Sequence, residues 1–402
     1  MLANLSYYTL RELLKNYSFP LALIDLDGID YNFEFFSTRV NTYSKKIRIA
    51  TKSIRVPYII KYIYEKNPSI ISGLMCYRIR EAQYLFNQGF NNIFIAYPEV
   101  NKNDLNILIK MIKSGCNVSI TADLLEHFNI LNKLGKENNC VINVVLELDG
   151  SLKITNSVNL GVRRSSIQSI SDLKNRLSFI RNMKNINLYG VMLYEAQIAG
   201  VADNLPNDIT KHIKRKIKQI SIEKVKDFRN DCLEVIYDQG FKPEIINGGG
   251  SGSVDTTIKE ECITEITIGS GFLCSHLFSY YNNLELIPSI FYAIEIVRKS
   301  DENFVTCMGG GYIASGSYGK EKQPEIFLPK GITYTNIEGF GEVQTPFKIL
   351  DKKLDLNLGD PIILRHAKAG ELAEHFNKYL VFKDNKIISE TETYRGLGLS
   401  FL

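Results

Sequence analysis

The chain has 402 residues, with 48 Lys and Arg against 44 Asp and Glu for a formal net charge of +4; 45% of residues are hydrophobic and 23% charged. That length exceeds one ordinary domain and supplies ample material for a core. The small net charge speaks against a nucleic-acid partner. No apolar run approaches about 18 residues and no signal peptide is legible, so we expect no membrane association and a soluble, cytoplasmic protein.

Residues 6–17, "SYYTLRELLKNY", read as a helix. From about residue 20 to 280, Ile- and Val-rich runs alternate with longer amphipathic stretches, the mark of repeated βα units. The predicted strands are "IRIATK", "SIISG", "NIFIAY", "NVSITA", "VINVVLEL", "INLYGVML", "PEIING" and "TEITIG". Residues 77–87, 103–113 and 124–134 have helical spacing between them. Runs this continuously apolar suit parallel strands buried on both faces. Eight such units predict an α/β fold, a closed (β/α)8 TIM barrel over residues 20–283. The dense basic run "KHIKRKIKQI" at 211–220 carries apolar residues between its charges and reads as a solvated helix face.

Beyond residue 283, segments such as "SIFYAIEIVRK", "NFVTCMGGGYIA", "TYTNIEGFGEVQT" and "DPIILRHA" predict a C-terminal antiparallel β domain, residues 284–402. The helical period returns only at "GELAEHFNKYL", and residues 1–19 are expected to pack on this domain as a helical segment. Seven cysteines are odd in number, widely spaced and never C-x-x-C, which fits reduced core thiols rather than a disulfide framework or a zinc ribbon.

Within "IRIATKS" (47–53), an apolar strand ends on Lys52. Burying an ammonium costs several kcal/mol unless it is paired or deprotonated. Lys52 is therefore either a strand end reaching solvent or an amine kept for its chemistry at the carboxyl end of the first barrel strand, where barrel active sites form. Arg48 and Arg55 are sequence neighbours whose charge would favour the free amine, a nucleophile for carbonyls.

"NGGGSGSVD" (247–255) follows the seventh strand and "GSGF" (269–272) the eighth. These are the usual phosphate-binding loops of a barrel, since glycines let backbone N–H groups approach an anion. Gly249, Gly250, Ser251 and Gly252, with Gly269, Ser270 and Gly271, would supply the donors. A dinucleotide fingerprint starting at Gly248 fails because Ser253 stands at its sixth position. An amine facing an anion cradle suits a cofactor with an aldehyde at one end and a phosphate at the other, pyridoxal 5'-phosphate.

With "ATKSIR", "NLGVRRS", "GVMLYEAQIAG", "NGGGSGS", "EITIGSGF" and "LRHAKAGELAEHFN" in this order, the chain resembles the fold-type III pyridoxal-phosphate enzymes of the alanine racemase superfamily. Within it, the chain is similar to the D-threonine aldolase and D-serine dehydratase branch, including proteins called amino acid deaminase/aldolase. The resemblance implies that Lys52 carries the cofactor as a Schiff base. It also implies that Arg163 or Arg164 meets the ring's phenolic oxygen and that Tyr194 faces the pyridine nitrogen.

In that branch a His-x-Cys or His-x-Asp pair binds a divalent metal that polarises the substrate's β-hydroxyl. Here His366 matches the first ligand, but Lys368 stands at the second. Either Glu371 supplies the missing carboxylate for a metal, or the metal is gone and His366 acts as acid or base, or Lys368 binds the substrate carboxylate.

The implied activity is a lyase on a β-hydroxy D-amino acid, by retro-aldol cleavage or by dehydration, in a homodimer. The rivals are an amino acid racemase, for which Tyr312 in "GGGYIASGS" would be a second acid/base, and a pyridoxal-phosphate carrier without turnover.

Overall fold

The computed structural model describes residues 1–153, 159–206, 208–316 and 319–402. Eight parallel strands close into a barrel: Lys46–Ala50, Ile71–Cys76, Ile93–Ile95, Val118–Ala122, Ile142–Leu148, Ile186–Leu193, Ile245–Gly248 and Glu265–Ile268. They are the eight runs read from the sequence. The last strand pairs with the first, Glu265 to Lys46 through Ile268 to Ile49, and this pairing closes the ring. Helices with an apolar face separate the strands. Lys102–Lys113, for example, is capped by Asn101, whose side chain accepts from the N–H groups of Asn103 and Asp104, and it buries Leu105, Leu108 and Ile109.

A mixed nine-stranded sheet forms the second layer. Its longest strand, Ile290–Asp301, pairs antiparallel with Leu21–Asp25, Phe304–Met308 and Pro361–Arg365. Two expectations change here. The span 20–283 expected for the barrel takes in Leu21–Asp25, which instead sits inside this sheet and pairs in parallel with Lys378–Lys383. The sheet is thus built from both ends of the chain. Nor is "GELAEHFNKYL" one helix: only Ala369–Leu372 is helical, and Lys378–Lys383 is a strand. Pairing with a segment some 350 residues away overrides local spacing there.

The N-terminal helix Tyr7–Leu14 buries Leu10 and Leu14 against Leu21, Leu23, Phe291 and Ile363 on one face of the sheet. The opposite face, including Ile24, Tyr292 and Ile294, joins the large apolar core shared with the barrel. All seven cysteines are free. Among the described residues, no helix is long and apolar enough to cross a membrane.

Candidate active site

A cavity of about 140 Å³ opens at the carboxyl ends of the barrel strands, lined by Lys52, Tyr97, Arg164, Tyr194 and the loops at Gly249–Ser251 and Gly269–Ser270. A second cavity of about 710 Å³ continues from it, walled by Lys52, Tyr194, Ser270 and the segment Ala367–Glu371 of the sheet domain. The first barrel strand ends at Ala50, and a single 3-10 turn, Thr51–Ser53, swings Lys52 out of the strand into this space. Lys52 is therefore no buried charge. Of the cations expected beside it, Arg48 is buried and holds Glu265 at 2.5 and 2.8 Å, while Arg55 lines the larger cavity, donates to the Lys52 carbonyl at 3.0 Å and pairs with Glu374 at 2.7 Å.

The groups that meet the side chain of Lys52 come from other strands. Its Nζ donates to the Tyr97 hydroxyl at 3.1 Å. Arg164 lies over both the Tyr97 ring, at 5.3 Å, and the Tyr194 ring, at 5.2 Å. Burial pushes the Tyr97 phenol up, but Lys52 and Arg164 outweigh it and hold the group below the usual tyrosine value. Tyr194 is pushed up to about 12 by burial, with Arg164 opposing, so its phenol stays neutral. Arg164 also pairs with Glu147 at 3.9 Å. Burial raises that carboxyl to about 7 against the pull of Arg164. Of the two arginines predicted for this place, Arg164 lines the cavity, while Arg163 is exposed and does not.

Two loops face Lys52. Ser251 Oγ accepts from the N–H groups of Gly271, at 3.0 Å, and Gly269, at 3.4 Å, locking the two loops together. The backbone N–H groups of Ser251 and Ser270 have no partner among the described residues. With the hydroxyls of Ser53 and Ser270, 3.0 Å apart, they form a polar cradle. Gly249 has φ +74°, a conformation only glycine adopts without strain. Its N–H donates to Glu195 Oε2 at 3.2 Å. Gly252 and Gly271 are packed behind the cradle, against Ala199 and Phe36, and do not line the cavity.

Three side chains that matter here carried no signal of their own in the sequence. Tyr97 is one tyrosine at a strand end. Glu195, adjacent to Tyr194, is buried; it accepts from Ser253 and Thr257 as well as Gly249 and pairs with Arg229, which also holds Glu260. Asn247 joins the Arg48–Glu265 pair to Thr267 beneath the cavity floor, and the three-dimensional register alone reveals it.

On the sheet-domain side the expectations are met only in part. His366 is fully buried and lines neither cavity. Its Nδ1–H donates to the Lys368 carbonyl oxygen at 2.6 Å, and burial lowers the ring to about 4, so it is neutral with its lone pair on Nε2. Nε2 is buried without a partner. Lys368 and Glu371 line the larger cavity and pair at 2.8 Å. Burial pushes Glu371 up, but Lys368 and Ser315 prevail and hold it at about 2.

The metal expected at His366 and Glu371 does not suit these residues. One free imidazole nitrogen is present, but the carboxylate is spent on Lys368 and Ser315, and an ammonium is no ligand. No group of three or more His, Cys, Asp or Glu among the described residues could hold an ion. Tyr312 stacks on His375 at 4.5 Å and does not reach either cavity in this chain. His276 Nε2 meets the Gln323 carbonyl at 2.8 Å and His127 lies 3.3 Å from Asp123, and neither lines either cavity.

A family model described as the alanine racemase N-terminal domain matches residues 24–270. The 3-hydroxy-D-aspartate aldolase of Paracoccus denitrificans (strain Pd 1222) is 18% identical over 251 residues, 62% of this chain but only 59% of that relative. Among solved structures, D-threonine aldolase from Filomicrobium marinum superposes with a TM-score of 0.78 at 15% identity, covering 96% of this chain and 97% of the other. D-threo-3-hydroxyaspartate dehydratase from Delftia sp. HT23 gives 0.77 at 15%, covering 95% and 98%. Alanine racemase from Bacillus anthracis gives 0.63 at 14%, covering 94% and 99%. Likeness at such identities is one of fold.

Proposed function

The chain belongs to the alanine racemase N-terminal domain family, and from that premise we propose that it is a pyridoxal-phosphate-dependent lyase acting on β-hydroxy D-amino acids. The observation that carries the reading is an amine and a cradle of unpartnered backbone N–H groups lining one cavity, Lys52 with Ser251 and Ser270. The unpartnered N–H groups of the cradle suit a phosphate, and the amine suits an aldehyde carbon. The curated relative is named as an aldolase, and the aldolase and dehydratase structures superpose at 0.78 and 0.77 against 0.63 for an alanine racemase, which supports the lyase over the racemase.

When bound, pyridoxal phosphate supplies an electron-withdrawing ring that stabilises negative charge at the substrate's α-carbon. Lys52 Nζ would hold its aldehyde carbon, the cradle its phosphate, and Arg164 and Tyr194 its ring. A neutral phenol at Tyr194 donates no full charge to the ring. Lys52 Nζ donates to the Tyr97 hydroxyl at 3.1 Å, and with cofactor and substrate in place this pair would hold or move a proton at the substrate's α-carbon. The loops and the segment Ala367–Glu371 close the cavity around the reacting carbon.

The test is the purified protein's absorbance near about 420 nm, borohydride fixation with peptide mass spectrometry, and a panel of D-threonine, D-serine and D-threo-3-hydroxyaspartate assayed for aldehyde, keto acid and ammonia. We expect the adduct on Lys52, with release of aldehyde or of keto acid and ammonia. Label on another lysine, or D/L interconversion with neither product, overturns the reading.

A further inference from the structure

The sheet-domain segment lying over Lys52 carries a cation where a metal ligand was expected. A Cβ at Gly370 would stand 2.1 Å from the Lys52 carbonyl oxygen, so main chain packs on main chain there and sets the segment's place. Lys368 Nζ donates to Ser315 O, Ser315 Oγ and Glu371 Oε1, each at 2.8 Å. Glu371 in turn accepts from the Ser315 N–H at 2.8 Å and from its hydroxyl at 2.6 Å. This closed group of three holds the ammonium on the wall of the larger cavity, with 38% of the Lys368 side chain exposed.

Two physical facts set this group against a divalent ion. A ligand must offer a lone pair, which an ammonium lacks, and two like charges at contact distance repel. What the group does provide is an ammonium whose charge Glu371 balances, on the wall of the cavity that Lys52 also lines. We propose that this wall takes no divalent cation: the Lys368 ammonium occupies the second ligand's place, Glu371 and Ser315 are spent on it, and when substrate binds Nζ exchanges one of its two bonds to Ser315 for the β-oxygen. The part about the β-oxygen rests on the lyase reading; the part about the metal does not.

The holoprotein is titrated with Mn²⁺ and with Zn²⁺, bound metal is counted after dialysis, and turnover of D-threonine and D-threo-3-hydroxyaspartate is measured with and without EDTA. We expect no stoichiometric metal and no effect of EDTA. One equivalent of metal per chain, lost in His366→Ala, overturns the proposal even if neither substrate is turned over. Turnover that EDTA abolishes and Mn²⁺ restores also overturns it, whereas failure of turnover both with and without metal refutes the lyase reading instead.

Lys368→Met is expected to lower kcat/KM roughly tenfold to a hundredfold with the cofactor absorbance retained; an unchanged value overturns the role at the β-oxygen. Lys368→Asp, with its fold checked by melting and cofactor absorbance, is expected to gain one Mn²⁺ per chain. A folded variant that gains none refutes the claim that the ammonium excludes the ion.

Discussion

Gly370→Ala tests whether the sheet-domain segment must sit where it does for the reaction to run. The added methyl would lie 2.1 Å from the Lys52 carbonyl oxygen and 3.0 Å from the Ser53 Cα, both main chain and neither able to rotate away. An ordinary contact needs about 3.4 Å, so the segment must retreat by about 1.3 Å. Overpacking of this kind costs about 1–3 kcal/mol. At about 2.1 cal/mol/K of unfolding entropy per residue, a chain of 402 residues melting as one unit loses about 1–4 °C in Tm. The effect on turnover is larger, because misplacing groups by about 1 Å costs on the order of 10²-fold in rate. Thermal melts, the cofactor absorbance and steady-state rates on D-threonine and D-threo-3-hydroxyaspartate read the two effects separately. A small fall in Tm with a fall in kcat of at least about tenfold is expected. If Tm drops but kcat and KM stay at wild-type values, the placement of this segment has no bearing on chemistry and the argument fails.

Tyr97→Phe removes the hydroxyl 3.1 Å from Lys52 Nζ. We expect kcat to fall about 10²-fold with the cofactor still bound, and the alkaline limb of the pH profile set by the lowered Tyr97 phenol to disappear; an unchanged profile rules out proton transfer at this hydroxyl. Glu81 and Glu147, both raised by burial from 4.5 to about 7, bear on stability. The folded state keeps these protons after the unfolded chain has released them, so their contribution is full below about 4.5 and lost as pH rises to about 7. Urea unfolding between these limits should show stability falling by a few kcal/mol, and Glu147→Gln should flatten the decline. Parallel curves for wild type and variant would count against the buried-carboxyl account.

The eight barrel strands could be read directly because a strand covered on both faces must be apolar along its whole length, and that pattern is local. The same rule placed Lys52 and the glycine loops at one barrel mouth, since in such a barrel the strand ends converge whatever the loops contain. The segment at 378–383 was not readable in this way. Tyr379 and Val381 are buried on one face of the strand, but Phe376 just before it extends the spacing into something helical, and the partner that decides the matter is Leu21–Asp25.

The functional centre divides along the same line. Composition and local period determined a barrel with Lys52 and two glycine loops at its mouth, and left Arg163 and Arg164 equivalent. Tertiary structure decided that Arg164 covers Tyr97 and Tyr194, that Tyr97 and not a neighbouring arginine meets the Lys52 amine, and that Lys368 rather than His366 reaches the cavity. The physical reason is range: strand and helix patterns are written within about ten residues, whereas Lys52 and Lys368 share one cavity only because strands from both chain ends fold into one sheet and press Gly370 against the barrel rim.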